Sequence, residues 1–140
     1  MPPVQTPPGI SDIWLFSNCT KSELRAIRSS ATPASLVSGQ LVIKEGEPGT
    51  YFFVIVSGAA EVRRKGRPVA HLGPGAYFGE LSLLDRGPHT ASVVCTSDVE
   101  LLVVSRRDFD KVLLSMPTIA RKIMRTMASR LREADGRSYC

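Results

Sequence analysis

FGELSLLDRGPHTASV, residues 78–93, lies among short apolar runs but does not itself have the pattern of a strand. Gly79 is followed by Glu80-Leu81-Ser82-Leu83-Leu84, which is compatible with a short helical turn. A glycine lets the backbone approach a ligand closely, and the first N–H groups of such a turn lack partners inside it. The segment predicts a cradle for an anion such as phosphate. The alternative is a tight turn that redirects the chain, with Glu80 favourable to its dipole.

On both sides of this segment, from Ala34 to Ser105, short apolar runs alternate with turn residues at intervals of about 8–12 residues. The runs are SLV, QLVIK, YFFVIVSG, AEVRR, PVAHLG, ASVVC and VELLVVS, and the turns between them are GEPGT, RKGRP, GPG and DRGPH. Regular short strands separated by glycine and proline are typical of a β-sandwich or β-barrel.

A short helix is predicted ahead of the strands. Residues 20–23, Thr-Lys-Ser-Glu, fit a capping box, in which the hydroxyl and the carboxylate each satisfy a free backbone N–H. Leu24 and Ile27 give the helix one apolar face, and Pro33 is expected to stop it. Residues 14–16, Trp-Leu-Phe, are expected to anchor the helix to the body of the domain.

Two helices are predicted after the strands. RRDFDKVLLS, residues 106–115, has the pattern of one, and Pro117 fits the first turn of a second. Apolar residues recur in the second helix at intervals of four: Ile119, Ile123, Met127 and Leu131. Cationic side chains occupy its other faces: Arg121, Lys122, Arg125 and Arg132. The order of elements predicts an α+β fold with a barrel at its centre.

The length and the composition of the chain are those of one globular domain. The chain has 140 residues, of which 43% are hydrophobic and 22% charged. The proline-rich residues 1–10 are expected to form a disordered arm, residues 11–135 the domain, and residues 136–140 a tail. We expect no membrane insertion and a cytoplasmic location, because the sequence shows neither an apolar run of about 20 residues nor a secretory signal.

The sequence does not point to catalysis. Ser82 has no base that can be placed beside it, and no carboxylate pair stands out. The three cysteines and two histidines show no metal-ligand spacing. We therefore expect no enzymatic activity, no catalytic residue, no metal and no cofactor.

The segment of residues 78–84 followed by residues 90–93, Thr-Ala-Ser-Val, resembles the phosphate-binding cassette of cyclic nucleotide-binding domains. This family includes catabolite-activator-type regulators, regulatory subunits of protein kinase A and cyclic-nucleotide-gated channels. The resemblance extends over about residues 15–132 and includes Gly46, Gly58, Val62, the SRRDF stretch and the final helix. It implies an eight-stranded β-roll, similar to a jelly roll, with an N-terminal helix and two C-terminal helices.

The resemblance also implies how the phosphate and the sugar of a cyclic nucleotide, cAMP or cGMP, are bound. Gly79, Leu81 and Ser82 are expected to offer backbone amides to the cyclic phosphate. Glu80 is expected to accept from the ribose 2′-hydroxyl. Thr90 is expected beside the phosphate and the purine edge, a position that in channel-like members helps to accept cGMP.

The resemblance also implies which residues contact the base and which lie on the helix that closes over it. Val62, Ala70 and Leu72 are expected to line the purine. Arg130 and Leu131, on the last helix, match the lid that closes over it in the family.

His89 departs from the family pattern, because it occupies the place where an arginine usually faces the phosphate. Arginine is always charged and offers a planar, bidentate fork, whereas a neutral imidazole offers one donor. Losing a charge-assisted contact of about 1.5–3 kcal/mol weakens binding roughly ten- to a hundredfold. Arg86, in the same loop, is either a compensating cation or a solvated loop charge.

Three functions follow as hypotheses. The first is a cyclic nucleotide receptor module that signals to an effector protein or through self-association of the last helix. The second is a degenerate module that binds nucleotide weakly or not at all and acts by protein–protein contacts. The third is nucleic-acid binding through the basic last helix. DNA-binding members carry a helix-turn-helix after the lid, for which the chain leaves no room, so no DNA binding is expected.

Overall fold

The computed structural model describes residues 13–85 and 87–135, and the predicted arm of residues 1–10 and tail of residues 136–140 lie outside them. The helices are α1 (Lys21–Ser29), α2 (Arg106–Ser115) and α3 (Pro117–Ala134), and 3-10 turns cover Trp14–Phe16 and Glu80–Leu83. The strands are β1 (Thr32–Leu36), β2 (Leu41–Ile43), β3 (Tyr51–Ser57), β4 (Ala60–Arg64), β5 (Arg67–Leu72), β6 (Tyr77–Phe78), β7 (Ser92–Cys95) and β8 (Val99–Ser105).

The strands form two four-stranded antiparallel sheets, in the orders β1-β8-β3-β6 and β2-β7-β4-β5. This arrangement, with helices at both ends of the chain, confirms the predicted α+β β-roll. Each of the seven predicted runs overlaps a strand, although β1 begins three residues before the run SLV and β5 one residue before PVAHLG. The eighth strand, β6, has only two residues, too few to show a period.

Pro33 does not end the first helix, contrary to the prediction. Helix α1 ends at Ser29, where the N–H of Ser30 donates to the carbonyl oxygen of Ile27 at 3.1 Å. Pro33 lies within β1 and pairs with Leu102. Because β1 is an edge strand of its sheet, the missing N–H of proline does little harm there.

Strand β3 contributes to two hydrophobic clusters. Phe52 and Val54 pack with the helices, while Phe53 and Ile55 pack inside the roll. Successive side chains of a strand point to opposite faces, so burial of both faces requires a continuous apolar run. The run YFFVIV is therefore apolar at every position because a helical layer covers the outer face of the sheet.

Glu23 is a buried carboxylate that joins α1 to α3. It completes the predicted capping box. Glu23 Oε1 accepts from the Thr20 N–H at 2.8 Å, and Thr20 Oγ1 accepts from the Glu23 N–H at 3.2 Å. Lys122 forms an ion pair with it, and Thr118 Oγ1 donates to Oε2 at 2.6 Å. The hydrogen-bonded ammonium of Lys122, and after it the hydroxyl of Thr118, lower the pKa of Glu23 to about 2.

Side chains at intervals of four along α3 contact the segment that precedes and includes α1. We name them the α3 row: Thr118, Lys122, Thr126 and Arg130. The first two bind Glu23, and Thr126 Oγ1 accepts from Asn18 Nδ2 at 2.8 Å. The guanidinium carbon of Arg130 lies 4.4 Å from the centroid of the Trp14 ring. The α3 row therefore fixes the last helix against the N-terminal segment along most of its length.

Candidate functional site

A cavity of about 430 Å³ opens between β4, β7 and the 3-10 turn Glu80–Leu83. Most of the residues that the sequence predicted for a ligand line it: residues 79–82, Val62, His89 and Thr90. Cavities that hold small molecules typically measure about 300–1,000 Å³, so this one has room for a nucleotide-sized ligand.

Gly79 has a left-handed backbone conformation. It precedes the 3-10 turn with φ +78°, in the left-handed region that favours glycine. An added Cβ would lie 2.8 Å from the carbonyl oxygen of Tyr51 on β3. Glycine is thus required both by the dihedral angle and by the close approach of the neighbouring strand.

The backbone amides of the turn differ in their availability. The Ser82 N–H donates to the Gly79 carbonyl oxygen at 2.9 Å and is therefore engaged within the turn. The amides of Glu80 and Leu81 open the turn, where no residue of the turn can accept from them. The amides of Glu80 and Leu81 are thus without a partner inside the turn, whereas the sequence analysis expected Gly79, Leu81 and Ser82 to offer their amides to a phosphate; which amides bind an anion remains a prediction.

The loop between β2 and β3 holds the loop that carries His89. The His89 N–H donates to the Glu47 carbonyl oxygen, and the His89 carbonyl accepts from the Gly46 N–H, both at 2.9 Å. Pro48 and Pro88 form an isolated antiparallel bridge beside these bonds. Gly46, in the β2–β3 loop, therefore helps to position His89.

Gly49 is a buried residue that adjoins two residues of the cavity lining, and sequence reasoning did not connect it with them. A Cβ added to it would lie 2.0 Å from Ser82 Oγ and 2.7 Å from His89 Cε1. The imidazole and the hydroxyl thus converge on the same point of the β2–β3 loop. The sequence presents Gly49 only as a turn residue, and nothing local to it marks the contact with residues 82 and 89.

The charges of the cavity are mixed. Its described lining includes two acidic residues, Glu80 and Asp85, together with Arg64 and His89. Asp85 Oδ1 accepts from the N–H of Gly87 at 2.9 Å, so this carboxylate orders its own loop. Arg86, the cation considered above as a substitute for the missing arginine, lies outside the described residues.

The apolar wall of the cavity is formed by Val62 together with Ile43, Tyr77 and Val93. Sequence reasoning missed the last three. Val93 pairs with Val62 across β7 and β4, so the strand register was the signal that could have identified it. The wall gives a planar, apolar group a surface to pack against.

Four residues predicted for the base and the lid do not line this cavity. Ala70 and Leu72 lie on β5, an edge strand one position beyond β4, where Ala70 pairs with Val62 and Leu72 packs against the core of the roll. Arg130 contacts Trp14, and the side chain of Leu131 is 68% exposed. Their roles towards a ligand remain predictions.

Within residues 13–85 and 87–135, no three histidine, cysteine or carboxylate side chains converge as they would around a metal ion. In the same part of the chain, no helix has the length and apolar character needed to cross a bilayer.

Burial raises the pKa of the Cys95 thiol. Burial, and after it the charge of Glu23, raises the pKa of the Cys19 thiol. Protonated thiols are poor nucleophiles.

Residues 33–116 match the family model described as the cyclic nucleotide-binding domain. The cAMP-dependent protein kinase regulatory subunit of Yarrowia lipolytica is 36% identical over 105 residues, which are 75% of this chain and 28% of that protein. The Cyclic AMP receptor protein of Thermus thermophilus is 37% identical over 102 residues, 69% of this chain and 47% of that protein. The chain thus spans less than half the length of either relative.

A solved structure shares the fold over nearly its whole length. It is the N-terminal domain of a transcriptional regulator from Streptomyces coelicolor A3(2), with a TM-score of 0.81 and 30% sequence identity. The match covers 92% of this chain and 96% of that one.

Proposed function

Because the chain belongs to the cyclic nucleotide-binding domain family, we propose that it is a regulatory module whose cavity binds cAMP or cGMP. One observation carries this proposal. The turn that Gly79 opens, the Glu80 carboxylate and the apolar wall around Val62 all lie in one cavity. Together they offer partners for a phosphate, a sugar hydroxyl and a purine.

Each part of the ligand has a partner of suitable chemistry. The amides of Glu80 and Leu81 would donate to oxygens of the cyclic phosphate, where the dipole of the turn favours negative charge. The Glu80 carboxylate would accept from the ribose 2′-hydroxyl. Ile43, Val62 and Val93 would pack against the base.

Of the two nucleotides, we propose cAMP as the principal ligand. Support comes from the relatives, one named as a cAMP-dependent kinase subunit and the other as a cyclic AMP receptor. Thr90 lines the cavity and supplies a hydroxyl that could also accept cGMP.

We propose that α3 transmits the signal. Closure of this helix would bring Arg130 and Leu131 to the base. Met124 and Leu131 are 64% and 68% exposed, an apolar surface suited to an effector protein or to α3 of a second copy. That the chain neither catalyses a reaction nor binds DNA remains a prediction.

A degenerate module is the second candidate function, and His89 is the observation that favours it. The described lining of the cavity has two carboxylates, and the usual arginine is absent from position 89. In this reading the roll is retained for contacts with other proteins, and cyclic nucleotide binds weakly or not at all.

Calorimetric titration with cAMP, cGMP and 2′-deoxy-cAMP tests the proposed site through Glu80→Ala. We expect this change to weaken cAMP about ten- to a hundredfold, since a hydrogen bond to a charged group is lost. Binding of 2′-deoxy-cAMP should be equal in both proteins. Glu61→Ala, on the outer face of β4, is the matched control and should leave cAMP affinity unchanged. Equal loss for both nucleotides would contradict the sugar contact.

His89→Arg decides between the two candidate functions. We expect it to tighten cAMP about tenfold or more, because a permanent, bidentate cation is placed beside the phosphate. Binding by the unaltered chain, tightened in the variant, supports the receptor module. Binding by the variant alone would establish the degenerate module. Affinity that is identical in both proteins would show that position 89 does not face the phosphate.

A further inference from the structure

Arg64 lines the cavity at the end of β4 and was not among the predicted site residues. In the register of β4 with β7, Ala60 pairs with Cys95 and Val62 with Val93, and Ala60 and Val62 pack in the core of the roll. Alternation along the strand places Arg64 on this inner face. Its position differs from that of Arg63, which belongs to the outer face.

Arg63 has a partner and Arg64 has none among the described residues. Arg63 Nε donates to Glu61 Oε1 at 2.7 Å on the outer face of the strand. The guanidinium of Arg64 forms no ion pair or side-chain hydrogen bond within residues 13–85 and 87–135, and its side chain is exposed. It is therefore free to bind a group that enters the cavity.

The charged residues that line the cavity indicate why Arg64 would matter for binding a phosphate. Among the described lining residues it is the only permanent cation, and the same lining contains two acidic residues, Glu80 and Asp85. An anion that enters near two carboxylates without a cation is repelled. A ligand with a phosphate therefore needs Arg64 more than it would in a cavity with arginine at position 89.

The strand register places Arg64 close to the loop that supplies the phosphate site. Arg63 pairs with Ser92, the first residue of β7, so Arg64 lies level with the chain that leads from Thr90 into that strand. We propose that Arg64 binds the cyclic phosphate from the β4 side and replaces the arginine that His89 has displaced. This inference rests on the proposed function and adds a residue to the same site.

The test compares Arg64→Gln with Arg63→Gln by calorimetry, using cAMP and adenosine. Arg64→Gln is expected to weaken cAMP about tenfold or more and to leave adenosine, which has no phosphate, unchanged. Arg63→Gln should change neither by more than about twofold, because its side chain faces away from the cavity. The loss in Arg64→Gln should shrink as salt is raised, because salt screens a partly exposed ion pair. Circular dichroism and thermal unfolding confirm that both variants fold.

Two further variants make the outcome decisive. His89→Arg in the Arg64→Gln background should recover most of the lost affinity, since either side of the cavity can then supply the cation. Arg86→Gln tests the arginine that stands between Asp85 and Gly87 in the sequence. The inference is overturned if Arg64→Gln binds cAMP normally, if it weakens adenosine equally, or if only Arg86→Gln weakens cAMP; in each case the proposed function stands. If the unaltered chain binds neither cAMP nor cGMP, the proposed function and this inference both fail.

Discussion

Replacing Glu23 by alanine is expected to lower the free energy of unfolding by about 3–5 kcal/mol, the loss typical when one partner of a buried ion pair is removed. Glu23 is only 2% exposed and accepts from Lys122, Thr118 and the Thr20 amide. Alanine would leave the ammonium of Lys122 without its carboxylate and two further donors without an acceptor. Urea denaturation at neutral pH measures the change.

The control is Glu133→Ala, an exposed carboxylate near the end of α3, which should change the free energy of unfolding by no more than about 0.5 kcal/mol. The double variant Glu23→Leu, Lys122→Met should recover much of the loss, because apolar side chains often replace a buried pair without penalty. A loss below about 1 kcal/mol in Glu23→Ala would show that the ion pair contributes little.

The same carboxylate gives the domain an acid-dependent stability. Its pKa is about 2 in the folded chain, below the ordinary value of 4.5, so the unfolded chain takes up the proton first as the pH falls. The contribution of Glu23 is therefore fully present above about pH 4.5 and is lost progressively towards pH 2. Urea denaturation at pH 7, 4.5 and 3 measures the free energy of unfolding. Between pH 7 and pH 3 it should fall further in the unaltered chain than in Glu23→Ala, because only the unaltered chain loses the contribution of Glu23.

Gly79→Ala is expected to weaken cAMP at least about a hundredfold. Alanine at φ +78° costs about 1–2 kcal/mol, and its Cβ would lie 2.8 Å from the backbone carbonyl oxygen of Tyr51. The turn must therefore move, which misplaces the amides of Glu80 and Leu81 together. Two charge-assisted hydrogen bonds of about 1.5 kcal/mol each account for a hundredfold. Calorimetry with cAMP measures the loss.

Gly66→Ala is the matched control for this substitution. Gly66 has φ +76°, nearly the same angle, and an added Cβ would meet no atom within 4 Å. Thermal unfolding should show that Gly66→Ala is destabilised by a similar conformational cost. Its affinity for cAMP should be unchanged. If both variants bind equally poorly, the effect of Gly79→Ala comes from lost stability and not from the geometry of the turn.

Features that depend on neighbours in the chain could be predicted from the sequence. The capping box at Thr20, the bounds of α2 and the proline that opens α3 are local signals, and the structure contains each of them. The strands could be predicted in the same way, because the apolar residues of each run indicate by themselves that the strand is buried. The glycine ahead of the helical turn was visible in the sequence as well, whereas its left-handed conformation was found only in the structure.

Features that depend on distant contacts could not be predicted. Thr118 and Glu23 are 95 positions apart, and Asn18 and Thr126 are 108 positions apart, so no local pattern connects them. Gly49 owes its role to side chains of another loop. Arg64 became a candidate only when the register of β4 with β7 was known. In each case the deciding information is a pairing across the fold.

The α3 row has a consequence for how strongly the domain would hold its ligand. Closure of α3 as proposed requires Arg130 to leave the Trp14 ring, which it contacts in this structure. The apparent dissociation constant is then the intrinsic one divided by the equilibrium fraction of molecules in which α3 is already released. Residues far from the nucleotide, such as Trp14 and Asn18, would thereby set the concentration at which the module responds.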